Sequence, residues 1–125
     1  MSQKIVLMSS PEYFKVEYSI NPWMVPGTNV DLELAKDQWN GLKRTIEEAG
    51  AEVKVVPPSE NHPDLVFTAN SGIIRGNDVL IANFKFEERR GEEEIYIKWF
   101  KENEYNVSRI PPDYKFEGRG DAFVY

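Results

Sequence analysis

The sequence predicts an α/β protein built on a repeated unit, and three features carry that prediction. Apolar residues at Ala35, Trp39, Leu42, Ile46 and Ala49 keep the alternating four-and-three spacing of one helix face. Directly after them, AEVKVV alternates Ala51, Val53 and Val55 until Pro57-Pro58 ends it, which reads as a strand following a helix. Sliding the chain by 54 residues then lays Leu42 on Tyr96, Ile46 on Phe100, Val53 on Val107, Val56 on Ile110, and Pro57-Pro58 on Pro111-Pro112. Two ordinary helix–strand units could match by accident, but the paired prolines favour a real repeat. Such units bury their faces against neighbours, so a two-unit piece should leave a sheet edge open.

The elements follow in order. Ile5 to Met8 reads as a short buried strand, and the aromatic, proline-rich loop PEYFKVEYSINPWMVPG follows it. The first helix runs from Asp31 to Ala49, with Asp31 as cap or first-turn acid and Gly50 as its stop. After the AEVKVV strand, two more strands are expected at Asp64–Ala69 and Val79–Phe84, with a turn at Gly76–Asp78 between them. KFEERRGEEE reads as a solvated loop and helix start. The second helix carries Ile95, Tyr96, Trp99 and Phe100, and Glu92, Glu93 and Glu94 lie in its first turn, where the helix dipole favours acids. A strand at Tyr105–Ile110 ends at Pro111-Pro112. Each copy then passes through a polar loop to an Asp and an apolar strand, Asp64-Leu65-Val66-Phe67 and Asp121-Ala122-Phe123-Val124.

Composition narrows the function. The 125 residues suit one domain, and 41% hydrophobic with 29% charged content fits a globular rather than a disordered chain. A net charge of −6 argues against a nucleic-acid surface and suits solubility or a cationic ligand. No cysteine is present, which excludes disulfides, thiolate metal sites and a cysteine nucleophile within the chain. No signal peptide or membrane-length apolar run is evident, so a cytoplasmic location is expected.

Three polar sites interrupt apolar or aromatic surroundings. Asn21 in YSINPWM can offer an amide to a ligand shielded by Tyr18 and Trp23, or can simply start an Asn-Pro turn. Asn70 in HPDLVFTANSGII stands where a strand runs out, as a site residue or as a turn residue. Glu117 and Asp121 in FEGRGD form either a surface turn or a pair of carboxylates for a guanidinium, which a Glu can hold with both oxygens. Arg90 can pair with a ligand carboxylate. The sole histidine, His62, reads as a surface residue, and no metal or cofactor constellation is visible. The embedded Arg-Gly-Asp triplet reads as accidental.

Taken together and in this order, YSINPWM, DLELAKDQWNGL, HPDLVFTANSGII, FKFEERRGEE and FEGRGD resemble the guanidine-modifying enzymes of the pentein superfamily. The closest resemblance is to the dimethylarginine dimethylaminohydrolases and arginine dihydrolases, alongside arginine deiminases and amidinotransferases. The resemblance implies an α/β propeller of strand–strand–helix–strand modules. This chain would hold one N-terminal portion of that domain, with modules at roughly 1–60 and 61–113 and a third beginning near 114. It also implies a cysteine thiolate that attacks the guanidinium carbon of an arginine-like substrate, with a histidine as acid and base. By resemblance, Asn70 and Glu117 bind the guanidinium, Asn21 shapes the site, Arg90 holds the substrate carboxylate, and Asp64 orients the same loop. The amide at Asn70, where several relatives carry Asp, looks like the arginine-dihydrolase variant.

The departures matter equally. In the family both the catalytic His and the Cys follow the EGxGD segment, whereas this chain has no Cys and its His62 precedes FTAN. No catalytic residue is therefore expected in this chain, nor any cofactor. The expected function is the substrate-binding part of an arginine-modifying hydrolase or amidinotransferase, with a second polypeptide supplying His and Cys and pairing with the open edge. The alternative is a non-catalytic pentein module that binds an arginine-like ligand or a protein, or that self-associates through that edge. An unrelated two-layer α/β domain would require every match to be chance.

Overall fold

The computed structural model describes residues 4–124, which divide after Thr68 into two compact units. In the first, strand β1 (Ile5–Ser9), helix α1 (Leu32–Glu48) and strand β2 (Glu52–Val56) form a β-α-β unit. β1 and β2 run parallel with Val6 opposite Val53, which a helical crossover permits and a tight turn does not. Asp31 caps α1 by accepting from the Leu34 N–H at 3.0 Å. Gly50 ends it at φ +100°, with N–H bonds from Gly50 to the Glu47 carbonyl and from Ala51 to that of Ile46. These are the two bonds of a Schellman stop.

The second unit contains β3 (Gly72–Arg75), β4 (Asp78–Ile81), the one-turn helix α2 (Glu87–Arg90), α3 (Glu92–Glu102) and β5 (Asn106–Arg109). β3 and β4 form an antiparallel hairpin closed by Gly76-Asn77, and β4 pairs parallel with β5. Gly76 at φ +61° takes the first corner of that two-residue turn, where a left-handed residue matches the strand twist. This unit has the full strand–strand–helix–strand order. The 54-residue shift carries α1 and β2 onto α2–α3 and β5, and it extends to the helix stops. Glu104 occupies the place of Gly50 at φ +67°, and Tyr105 N–H bonds the Phe100 carbonyl as Ala51 bonds Ile46.

Several expectations need correction. Asp64–Ala69 is not a strand; Pro63–Val66 and Thr68–Asn70 are 3₁₀ turns, and the strand begins at Gly72. Pro63 starts the first turn with a fixed φ and no N–H to give a ladder. Pro63, Asp64 and Leu65 are all buried, a run no half-exposed strand would show. Gly72 opens the ladder, and a β-carbon there would run into the Leu80 carbonyl at 2.4 Å, which only glycine avoids. The predicted 79–84 strand ends at Ile81, and Asn83 instead makes an isolated bridge with Phe116. Ala122–Val124 has no regular structure, so the apolar run after Asp121 is not a strand.

The core positions shift too. KFEERRGEEE is not merely solvated, because Arg89, Glu92 and Glu93 are buried. On α3 the buried apolar residues are Tyr96, Ile97 and Phe100, with Ile95 and Trp99 half-buried. In β2 Val56 is buried while Val55 is exposed. No residue of α1 is fully buried, and Leu42 is exposed. Among the described residues no helix is long and apolar enough to cross a membrane.

Candidate functional site

The second unit brings Asn70 and Glu117 together. Asn70 ends its 3₁₀ turn half-buried, and its Nδ2 donates to the Glu117 backbone carbonyl at 3.1 Å. Its Oδ1 accepts from Arg89 Nη1 at 2.9 Å. Both ends of the amide are thereby engaged.

Arg89 itself is only 6% exposed. Nε and Nη2 donate to the two carboxylate oxygens of Glu92, each at 2.8 Å, in the planar bidentate geometry that guanidinium favours. Glu92 is fully buried, and the Arg89 guanidinium also lies over the Phe84 ring at 4.5 Å from its centre. Burial raises the Tyr96 phenol above its ordinary value; the Glu92 charge adds to this and Arg89 offsets part of it.

Glu117 begins a turn that Gly118–Gly120 completes as a short 3₁₀ segment. The Asp121 carboxylate accepts from the Glu117 N–H at 2.7 Å, so Asp121 closes the turn. The Glu117 carboxylate is left half-buried, and among the described residues no hydrogen bond or ion pair engages it. The Phe116 backbone, paired in both directions with Asn83, fixes the entry to the turn. Asn83 reinforces it by donating from Nδ2 to the carbonyls of Tyr114 and Pro112.

The other predicted residues make contacts of their own. Arg90 is exposed in α2, where its Nε and Nη2 donate to the carbonyls of Phe84 and Lys85. Asn21 and Asp64 belong to the first unit. Asn21 is exposed, and its Oδ1 accepts from the N–H groups of Trp23 and Met24, which is the turn-starting geometry. Asp64 is buried and accepts from the Tyr18 hydroxyl, tying the aromatic loop to the first 3₁₀ turn. His62 precedes that turn, half-buried, with Nδ1 at 2.8 Å from Ser59 Oγ.

Burial lowers the His62 pKa below the ordinary 6.5. An unfolded chain therefore binds more protons than the folded one as pH falls through that value, and stability should decline there. NMR titration of the ring should give a midpoint below 6.5. His62→Gln should flatten the same part of the stability curve measured by urea unfolding.

Sequence reasoning missed Arg89 and Glu92. The signal was present, because Arg89, Glu92, Tyr96 and Phe100 fall three and four residues apart on one helical face.

Among solved structures, the N-terminal domain of ArgZ, a cyanobacterial arginine dihydrolase, in a Cys-to-Ser form bound to substrate, superposes with a TM-score of 0.85. Its sequence is 42% identical, and the match covers 94% of this chain and 43% of that one. Among curated proteins, the bifunctional arginine dihydrolase/ornithine cyclodeaminase ArgZ of Synechocystis is 43% identical over 94% of this chain and 17% of its own length. The N(G),N(G)-dimethylarginine dimethylaminohydrolase of Mycobacterium tuberculosis is 37% identical over 94% of this chain and 38% of its own.

The fold and sequence together define a member of the guanidine-modifying pentein superfamily. More narrowly, residues 21–124 match the model of N,N dimethylarginine dimethylhydrolase, eukaryotic, and the chain belongs to that family. It spans less than half the length of these relatives.

Proposed function

We propose that this chain forms the guanidinium-binding part of an arginine-modifying enzyme, with Asn70 and Glu117 as the groups that hold the guanidinium. The observation that carries this is the Glu117 carboxylate, half-buried and unengaged among the described residues, on a turn fixed from both sides. A carboxylate held this way can accept two N–H groups of a guanidinium without first giving up a partner. In the same reading Arg90 offers the substrate carboxylate a cation, and Asp64 and Asn21 order the loops that carry them. In this reading the thiolate and imidazole of the covalent mechanism come from outside these 125 residues, which hold no Cys and whose His62 is engaged with Ser59, and a second polypeptide brings them. That polypeptide would complete the propeller of which this chain contributes the first modules.

The test is arginine consumption, with ammonia, citrulline and ornithine followed as products. The chain alone should be inactive. Mixed with the polypeptide that supplies Cys and His, it should consume arginine, and Glu117→Gln should lower that rate by about 10²-fold or more. Arginine binding without turnover in every mixture would instead favour a non-catalytic binding module.

A further inference from the structure

Glu117 is reached through a segment that burial does not hold. Residues 111–115 are all exposed, and Pro111 and Pro112, which open the segment, have no N–H to give a ladder. Asn83, two residues past the end of β4, ties this segment down with both its backbone and its side chain. We propose that Asn83 is a positioning residue that sets where Glu117 stands, with its side-chain amide as the part that removes the remaining freedom. The proposal rests on the reading of Glu117 as a guanidinium-binding group, and Asn83 acts through Glu117 rather than on the ligand.

The anchor is firm because both of its neighbours are. Ala82 is buried and its N–H donates to the Ser71 carbonyl at 2.9 Å. Phe84 is buried and its N–H donates to the Glu93 carboxylate at 3.0 Å. Between them the Asn83 N–H donates to the Phe116 carbonyl at 2.7 Å, and the Asn83 carbonyl accepts from the Phe116 N–H at 3.0 Å. That bridge fixes the residue directly before Glu117, but a single bridge is a pivot about which the exposed segment can still swing. The side chain stops the swing. Asn83 Nδ2 donates to the Tyr114 carbonyl at 2.6 Å and to the Pro112 carbonyl at 3.2 Å. The Tyr114 N–H, bonded to the Pro111 carbonyl at 3.0 Å, draws the same stretch into a turn.

The residue type follows from what it must donate. Two carbonyls converge on one nitrogen, and an amide NH₂ has a hydrogen for each. An aspartate of the same shape has only acceptors when ionised and would set an oxygen against both carbonyls. Pro112 and Tyr114 are exposed, so water can take the place of the lost donor and the fold loses little. What goes is the single placement of the segment. A carboxylate that accepts two N–H groups from one planar guanidinium depends on that placement. Stability and binding should therefore separate at Asn83.

The test is NMR and arginine titration on the ¹⁵N-labelled 125-residue chain. In the wild type both Asn83 Nδ2 hydrogens should exchange at least about tenfold more slowly than those of the exposed Asn40. Asn83→Asp should weaken arginine binding at least about tenfold. It should also shift the backbone signals of Glu117 and Asp121 together with those of Asp113 to Lys115. The added negative charge by itself favours a cationic ligand, so a weakening is not a charge effect. Asn103→Ala is the control, because it removes an amide bond to the Trp99 carbonyl at the C-terminal end of α3. Its thermal midpoint should fall about as little as that of Asn83→Asp, with arginine binding and the Glu117 signals unchanged.

Asn83 amide hydrogens that exchange as fast as those of Asn40 overturn the proposal, even if Asn83→Asp fails to fold. So does a folded Asn83→Asp chain that shifts Asp113 to Lys115 but leaves Glu117, Asp121 and arginine binding as in the wild type, since the amide then holds only the outer turn. A wild-type chain that binds no arginine sinks the reading of Glu117 as a guanidinium-binding group, and the Glu117 and Asp121 signals of Asn83→Asp then decide the positioning role by themselves.

Discussion

Replacing Glu92 with leucine is expected to destabilise the protein by roughly 3–5 kcal/mol, the cost of leaving one partner of a buried ion pair uncompensated. Glu92 is fully buried and Arg89 nearly so, and the two share a bidentate contact. With Glu92 gone, the Arg89 guanidinium keeps the Phe84 face and the Asn70 oxygen but loses the charge that offset its desolvation. Thermal unfolding should fall by something on the order of 15 °C.

The double variant Arg89→Met with Glu92→Leu should recover most of that loss, because apolar side chains of similar volume often replace a buried pair at little cost. Arginine binding should not recover with it, since Asn70 then has nothing to fix its oxygen. Denaturant midpoints and arginine binding measured on the same three proteins separate the two contributions. A single variant within about 1 kcal/mol of wild type would mean that the pair is solvated in solution.

The contrast between Arg89 and Arg90 shows what could be read from the sequence. FKFEERRGEE was legible as a functional segment, but which arginine turns inward depends on the phase of the one-turn helix Glu87–Arg90 relative to α3. A charged pair reads as surface until a partner is seen, and only the spacing to Tyr96 and Phe100 pointed the other way. Helix α1 was legible to its ends because Asp31 and Gly50 are residue types chosen by the cap geometry itself. Its equivalent in the second unit was less so, because Glu104 adopts the left-handed stop without being glycine. The helix and the strand after it coincide in the two units at the 54-residue shift, a match that depends on apolar residues and prolines rather than on caps.

The strand assigned to Asp64–Ala69 failed for a different reason. Alternation predicts a strand only when a ladder partner exists, and Pro63 and the Tyr18–Asp64 contact turn that segment into 3₁₀ geometry first. The apolar pair Ile73-Ile74, after Gly72, took the strand position instead. From the residues alone Glu117 and Asp121 were legible only as a pair, and it was the resemblance that singled out Glu117. Only the 2.7 Å bond from the Glu117 N–H shows that Asp121 closes the turn and leaves Glu117 available.

Gly118→Ala should be among the most damaging single-methyl changes in the chain. Two independent penalties meet there. The backbone has φ +61°, a left-handed conformation that costs an alanine about 1–2 kcal/mol. A β-carbon would also lie 2.6 Å from the Ala69 carbonyl oxygen and 2.8 and 2.9 Å from the Gly72 oxygen and nitrogen. Those are backbone atoms at the start of β3 and beside Asn70, and they cannot rotate aside as a side chain would. Forced overpacking of this kind costs about 1–3 kcal/mol more.

Gly76→Ala supplies the control. It has the same φ of +61° with nothing near its β-carbon, so it should lose only the conformational part. Urea unfolding should therefore rank Gly118→Ala well below Gly76→Ala, by about the overpacking cost. Relief of the clash shifts the turn that carries Glu117, so the 3.1 Å contact between Asn70 Nδ2 and the Glu117 carbonyl is expected to break. Arginine binding by Gly118→Ala should then be lost even in whatever fraction stays folded, while Gly76→Ala should bind as the wild type does. Equal stability of the two variants would show that the turn is not packed against Ala69 and Gly72, and the site built on it would fall with that result.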